Sequence, residues 1–186
     1  RGLFAAPVQH QGFLPKTTPA TTLPEHNEYQ VEINRIIATL PVLLKEKNLR
    51  KTVDELNAKF PDPALQLDKG SKSQKAAALC FLTVIAHAYV NEDKNPIEHV
   101  PAAIAKPLYA LSKSKQRFPT ITYADYVLNN WRLLDASQPI SLANIEPIAT
   151  FTNTKDEAWF IKIHVVIESI AARALTAAKR AFDEAN

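Results

Sequence analysis

The chain has 186 residues, 46% of them hydrophobic, which suits one ordinary domain or a domain plus part of a second and excludes wholesale disorder. The 22 Lys and Arg against 19 Asp and Glu are spread without a basic block, and no zinc or RNA-binding motif accompanies them, so no nucleic-acid partner is expected. No apolar stretch reaches the roughly 18 to 20 residues that cross a bilayer, so no membrane span is expected.

Residues 1–27 carry Pro7, Pro15, Pro19 and Pro24 and little periodicity, which predicts an extended surface arm with Phe4, Phe13 and Leu14 as anchors. The chain starts at Arg1 and contains no methionine, so a processed or incomplete N-terminus is expected, without a secretory leader pattern. Helical patterning begins at Asn27, where Val31, Ile33, Ile36, Ile37 and Leu40 form an apolar stripe ending at Pro41. A second helix runs from Pro41 or restarts near Leu49, with Lys45, Glu46, Lys47 and Arg50 as its solvated face. Phe60-Pro61-Asp62-Pro63 is a break, and Leu65 and Leu67 bridge to the next element.

Ser71 to Asn91 is a helix buried on most sides, because Ala76 to Val90 is almost wholly apolar. Its Cys80 is the single cysteine, which excludes an internal disulfide framework and fits a reducing, cytoplasmic setting. His87 on this helix is expected to be a core imidazole bonded to a backbone carbonyl. Ala102 to Ser114 is a shorter helix, interrupted or started at Pro107. After the stop at Arg117-Phe118-Pro119, Thr122 caps a helix that closes with Trp131, Leu133 and Leu134. Asp135 to Pro139 is a turn, and Ser141 to Phe151 a short helix capped by Ser141. Thr154 and Glu157 stand at capping-box spacing before a last helix from Lys155 to about Phe182. No period-two run is long enough for a sheet, and the fold class is all-α.

Glycine numbers 3, with Gly12 and Gly70 isolated, so no glycine-rich phosphate loop exists. Paired metal ligands, a nucleophile elbow and a catalytic-cysteine pattern are all missing from the sequence. Asp156-Glu157 and Asp183-Glu184 read as helix-end charges. What remains is two helix faces. Tyr123, Tyr126, Val127 and Asn130 stand at i, i+3, i+4 and i+7, and Phe160, Ile163, His164 and Ile167 share a face by the same spacing. Two readings fit: a pair of core helices with a satisfied histidine, or a pocket for a flat apolar or aromatic group between the helices.

Tyr123-Ala124-Asp125-Tyr126-Val127-Leu128-Asn129-Asn130-Trp131-Arg132, then Ser141-Leu142-Ala143-Asn144, resembles the signature of the indoleamine 2,3-dioxygenases. Phe151-Thr152, Asp156-Glu157-Ala158-Trp159-Phe160 and His164-Val165-Val166-Ile167-Glu168 continue the likeness. Gly12-Phe13-Leu14-Pro15, Leu40-Pro41-Val42-Leu43-Leu44, Leu49-Arg50, His87-Ala88-Tyr89-Val90 and Ile104-Ala105-Lys106-Pro107-Leu108 agree in type and order, so the resemblance covers nearly the whole chain.

The resemblance implies haem b chemistry, the opening of the indole ring of L-tryptophan by O2 to N-formylkynurenine, on the kynurenine pathway of tryptophan catabolism. It implies an arm over 1–27, a small helical domain over 28–150 and the first helix of a large haem-binding domain over 151–186. Tyr123, Tyr126, Val127 and Phe160 fall at substrate-pocket positions, and Tyr126, Phe160 and His164 at positions facing the haem. His164 matches a distal site where members carry serine or histidine, suited to accept from the indole N–H or orient oxygen. Members are longer, and their proximal iron-ligating histidine matches none of the 5 histidines here. The substrate-contacting arginine and phenylalanine and the closing glycine-rich loop also match nothing here. The resemblance therefore implies a fragment, or one chain of a two-chain enzyme, not active alone and completed by a C-terminal half or second chain. The alternative is a non-catalytic helical subunit or interaction module that keeps the scaffold without haem; a third reading keeps haem and acts on another indole.

Overall fold

The computed structural model describes residues 12–63 and 70–185; Phe4, Leu65 and Leu67 lie outside them. Among the described residues five α-helices carry the fold: α1 (Glu28–Lys45), α2 (Leu49–Lys59), α3 (Lys72–Val90), α4 (Ala102–Ser114) and α5 (Lys155–Glu184). Between α4 and α5 come a π-helical turn (Ala124–Leu128) and a two-stranded antiparallel hairpin. The hairpin pairs β1 (Trp131–Leu133) with β2 (Ile145–Pro147), Arg132 opposite Glu146. The mainly helical class is as the sequence indicates, but residues 141–151 supply a turn and a strand where a helix was expected. Three-residue strands are too short to show alternation.

α3 is the central helix, packing on α1, α2, α4 and the π turn. Its start is a reciprocal capping box: the Ser71 hydroxyl accepts from the Gln74 N–H at 3.2 Å and the Gln74 side chain accepts from the Ser71 N–H at 2.8 Å. Around it Ile33, Ile36, Leu40, Leu49, Val53, Phe81, Leu82, Ile85 and Ile104 make the main core. The cap of α2 comes from outside the helix. Its own N-cap, Asn48, makes no side-chain capping bond, and Glu92 accepts from the Leu49 and Arg50 N–H groups at 2.6 and 3.3 Å instead. Arg50, expected on a solvated face, is half-buried because its guanidinium reaches the last α3 carbonyls, Tyr89 and Val90, each at 3.0 Å.

Both helical prolines are passed without a break. α1 runs through Pro41 to Lys45, and α4 runs through Pro107. Proline has no N–H, so Pro107 leaves the Ala103 carbonyl without its helical donor. The buried Tyr29 hydroxyl fills that place, donating to the Ala103 oxygen at 2.7 Å. A second, smaller core joins the arm, the π turn, the hairpin and α5: Leu14, Val127, Trp131, Ile145, Ile161 and Val165. Of the arm's expected anchors, Leu14 is buried there and Phe13 is exposed. Gly12 lies against α5 at φ +64, where an added Cβ would meet the Glu168 carbonyl oxygen at 2.6 Å.

Candidate functional site

The site grows from the π turn and the first turns of α5. Between Ala124 and Leu128 the chain widens by one residue per turn, and the Asn129 N–H reaches back five residues to the Ala124 carbonyl at 3.0 Å. Asn129 Nδ2 donates to the same oxygen at 2.9 Å. The turn is clamped by Asp125, a buried carboxylate that accepts from Arg117 Nη1 at 2.8 Å and Nη2 at 2.5 Å and from the Thr122 N–H and hydroxyl at 3.0 and 2.8 Å. The hydrogen bond to Asp125 holds the Arg117 guanidinium above its usual pKa. Thr122, expected as a helix cap, is thus a donor to Asp125. On the inner side the buried Cys80 thiol donates to the Asp125 carbonyl at 3.0 Å, and burial raises its pKa steeply.

Widening the turn redistributes the face read at helical spacing. Asn130 turns fully inward, donating to the Tyr126 and Ala149 carbonyls at 3.1 and 2.8 Å and accepting from the Ala149 N–H at 2.8 Å. Val127, 1% exposed, lies beneath the surface in the second core. Tyr123 and Tyr126 face outward and meet α5. The Tyr123 and His164 rings are 6.0 Å apart and edge-on, Phe160 and His164 are 4.4 Å apart, and Tyr126 and Phe160 are 6.2 Å apart. Phe151 lengthens the row, 5.5 Å from Tyr126, and His87 of α3 stands 5.7 Å beyond it. His87 is exposed, not a core imidazole, because it occupies the outward side of the last α3 turn.

The row is an open face. Tyr123 is 44% and Phe160 45% exposed. Two described cavities, of about 400 and 330 Å³, are lined by none of these rings. α5 carries the apolar surface onward: Ile161, Val165 and Ala172 are buried on one side, whereas Ile167 and Ile170 are exposed on another, Ile170 by 70%.

Three polar contacts tune the row. His164 Nδ1 donates to the Phe160 carbonyl at 2.6 Å; a carbonyl only accepts, so Nδ1 carries a proton and Nε2 is the nitrogen left to act as an acceptor in the neutral tautomer. The Tyr126 hydroxyl donates to Glu157 Oε1 at 2.7 Å, and burial followed by this bond drives its pKa well above the ordinary tyrosine value. The Tyr123 hydroxyl lies 3.5 Å from Glu168 Oε1, at the limit of a hydrogen bond.

Tyr123, Tyr126, Phe160 and His164, singled out in the sequence, therefore meet on one surface, with Val127 under it. Sequence patterning missed Phe151, His87 and the bond from Tyr126 to Glu157. The capping-box spacing of Thr154 and Glu157 was the signal nearest to that bond. Thr154 does cap α5, accepting from the Glu157 N–H at 3.3 Å. No group of three His, Cys, Asp or Glu side chains among the described residues is placed to hold a metal ion. No described helix is long and apolar enough to cross a membrane.

The fold and site define a mainly helical protein that presents a row of aromatic rings with His164 among them on an open face. The family model for indoleamine 2,3-dioxygenase matches residues 7–186, and the chain belongs to that family. It is 33% identical over 175 residues to the indoleamine 2,3-dioxygenase of Saccharomyces cerevisiae, a match that takes in 89% of this chain and 37% of that protein. Indoleamine 2,3-dioxygenase nanC of Aspergillus nanangensis is 30% identical over 168 residues, 87% of this chain and 39% of the relative. Indoleamine 2,3-dioxygenase 1 of Mus musculus is 31% identical over 163 residues, 86% and 38% respectively. The chain thus spans well under half the length of these curated relatives.

Proposed function

We propose that this chain is the N-terminal part of a haem-dependent dioxygenase that opens the indole ring of L-tryptophan with O2 to give N-formylkynurenine. The observation that carries the reading is the outward row Tyr123, His164, Phe160 and Tyr126, in a chain of this family. Three adjacent rings, Tyr126, Phe160 and His164, suit contact with the face of a haem macrocycle. The iron ligand is assigned to the part of the family-length protein beyond these residues. When bound, haem supplies the activation of O2 that the side chains here do not.

Within that reading the residues have separate tasks. Tyr123, Tyr126 and Phe160 present ring faces and edges to the indole, with Val127 as the floor beneath them. His164 Nε2, held as an acceptor by the bond from Nδ1, takes a hydrogen bond from the indole N–H and holds that proton during oxygenation. Residues 1–27 act as the arm, 28–150 as the small helical domain, and 151–186 as the first helix of the haem-binding domain. The exposed stripe of α5 receives the rest of the family-length protein, in the same chain or as a second one. The lone buried thiol supports a cytoplasmic setting.

The second reading, a non-catalytic helical interaction module, draws on the same exposed stripe of Ile167 and Ile170. The two separate in a haem titration of the family-length protein followed by L-tryptophan turnover. Haem uptake with product formation supports the dioxygenase; stable folding without haem uptake supports the module.

A further inference from the structure

Glu157 receives more donors than a capping residue needs. Its Oε1 accepts from the Tyr126 hydroxyl and the Phe151 N–H, both at 2.7 Å. Its Oε2 accepts from the Thr152 N–H at 2.7 Å, the Thr152 hydroxyl at 2.6 Å and the Asn153 N–H at 3.2 Å. Four of these five bonds tie down the loop that leads into α5; the fifth leaves the loop and holds a ring of the aromatic row. Glu157 and Phe160 are three residues apart on α5, so the carboxylate that grips the Tyr126 phenol shares a face with the ring that Tyr126 meets. A tyrosine ring has two side-chain torsions, and fixing its hydroxyl removes most of the freedom they leave.

We infer that Glu157 is a positioning residue: through the Tyr126 phenol it sets the tilt of that ring between Phe151 and Phe160, and with it the surface on which a flat aromatic ligand stacks. The inference rests on the proposed aromatic-ligand site and adds a residue to it. Burial alone would raise the Glu157 pKa, yet the bonds from Thr152, Phe151 and Tyr126 hold it below the ordinary value, so the acceptor stays ionised and the phenol bond is charge-assisted.

The test uses the purified protein with labelled tyrosine and phenylalanine rings, read by aromatic NMR, in wild type, Tyr126→Phe, Glu157→Gln and the double variant. The Tyr126 resonances are identified by their disappearance in Tyr126→Phe. Glu157→Gln is expected to shift those resonances and weaken the ring contacts to Phe160, while signals from the α3 core stay in place. Tyr126→Phe, which leaves every loop bond of Glu157 intact, is expected to loosen the same contacts at position 126. In the family-length holoenzyme, each single variant is expected to weaken indole binding roughly 10-fold, as loss of one bond to a charged group does, and the double variant no further. Unchanged ring contacts in Tyr126→Phe would overturn the inference, whether or not Glu157→Gln folds; so would additive losses in the double variant. Absence of indole binding by wild type would instead refute the proposed function, and the ring contacts would still decide the role of Glu157.

Discussion

The Nδ1–H of His164 donates to the carbonyl of Phe160 one turn back, at 2.6 Å, and this contact fixes which nitrogen of the imidazole faces outward as an acceptor. It also holds the ring 4.4 Å from Phe160, so this imidazole is oriented by its own helix. Replacing His164 by Ala in the family-length protein is expected to lower L-tryptophan oxygenation by about 100-fold, the usual scale for losing one positioned proton acceptor. Haem content, read from the Soret band per chain, is expected to change little. Outright loss of haem in that variant would refute the acceptor role.

Acid should act on the loop before α5. The folded pKa of Glu157 is depressed below its ordinary 4.5. Its contribution to stability is therefore complete above the unfolded value and disappears as pH falls through the folded one. Urea midpoints of wild type are expected to drop across that acidic window. Glu157→Gln, less stable at neutral pH, is expected to lose less than wild type across the same window. Parallel pH profiles for the two proteins would contradict the assignment.

The hydroxyl of Tyr29 stands in for the N–H that Pro107 lacks, and burial raises its pKa steeply. Tyr29→Phe leaves the Ala103 carbonyl buried without a donor, which costs about 1–3 kcal/mol. The expected result is a lower urea midpoint with an unchanged slope. The companion change Pro107→Ala restores the helical donor and should reduce the penalty of Tyr29→Phe.

Ser112 presents the opposite case: its buried hydroxyl has no hydrogen-bond partner among the described residues. Ser112→Ala removes a desolvated polar atom without breaking a contact, so it is expected to be neutral or stabilising by up to about 1 kcal/mol. Thermal unfolding decides it; a marked loss of stability would show a bond not present here.

Gly12 combines a left-handed backbone with a 2.6 Å approach to the Glu168 carbonyl oxygen. Gly12→Ala is expected to cost about 1–2 kcal/mol from the backbone alone, with the clash in addition. The arm should lift, exposing Leu14, and hydrogen exchange should quicken along the side of α5 that it covers, with the α3 core unaffected.

What the sequence conveyed was what depends on local order. The apolar run of α3, the span Ala102–Ser114, and the Thr154 cap of α5 all rest on neighbours within a few residues, and all three stand in the structure. What it did not convey depends on distant partners. The α1 stripe continues through Pro41 where a stop was expected, and Arg50 leaves solvent because the end of α3 lies beside it. The π turn rests on Arg117 gripping Asp125 and on Asn130 reaching Ala149, so helical spacing misplaced Asn130 and Val127 while still grouping Tyr123 with Tyr126. Tyr123, Tyr126, Phe160 and His164 were legible because they project from two nearby segments. Phe151 joins them only through the loop that Glu157 holds.

The most direct test of the proposed function is turnover of L-tryptophan under isotopically labelled O2 by the family-length protein loaded with haem, with the product identified by mass. N-formylkynurenine carrying both labelled oxygen atoms is the expected result, with the rate falling sharply in His164→Ala. A folded, haem-saturated protein that leaves L-tryptophan intact would contradict it.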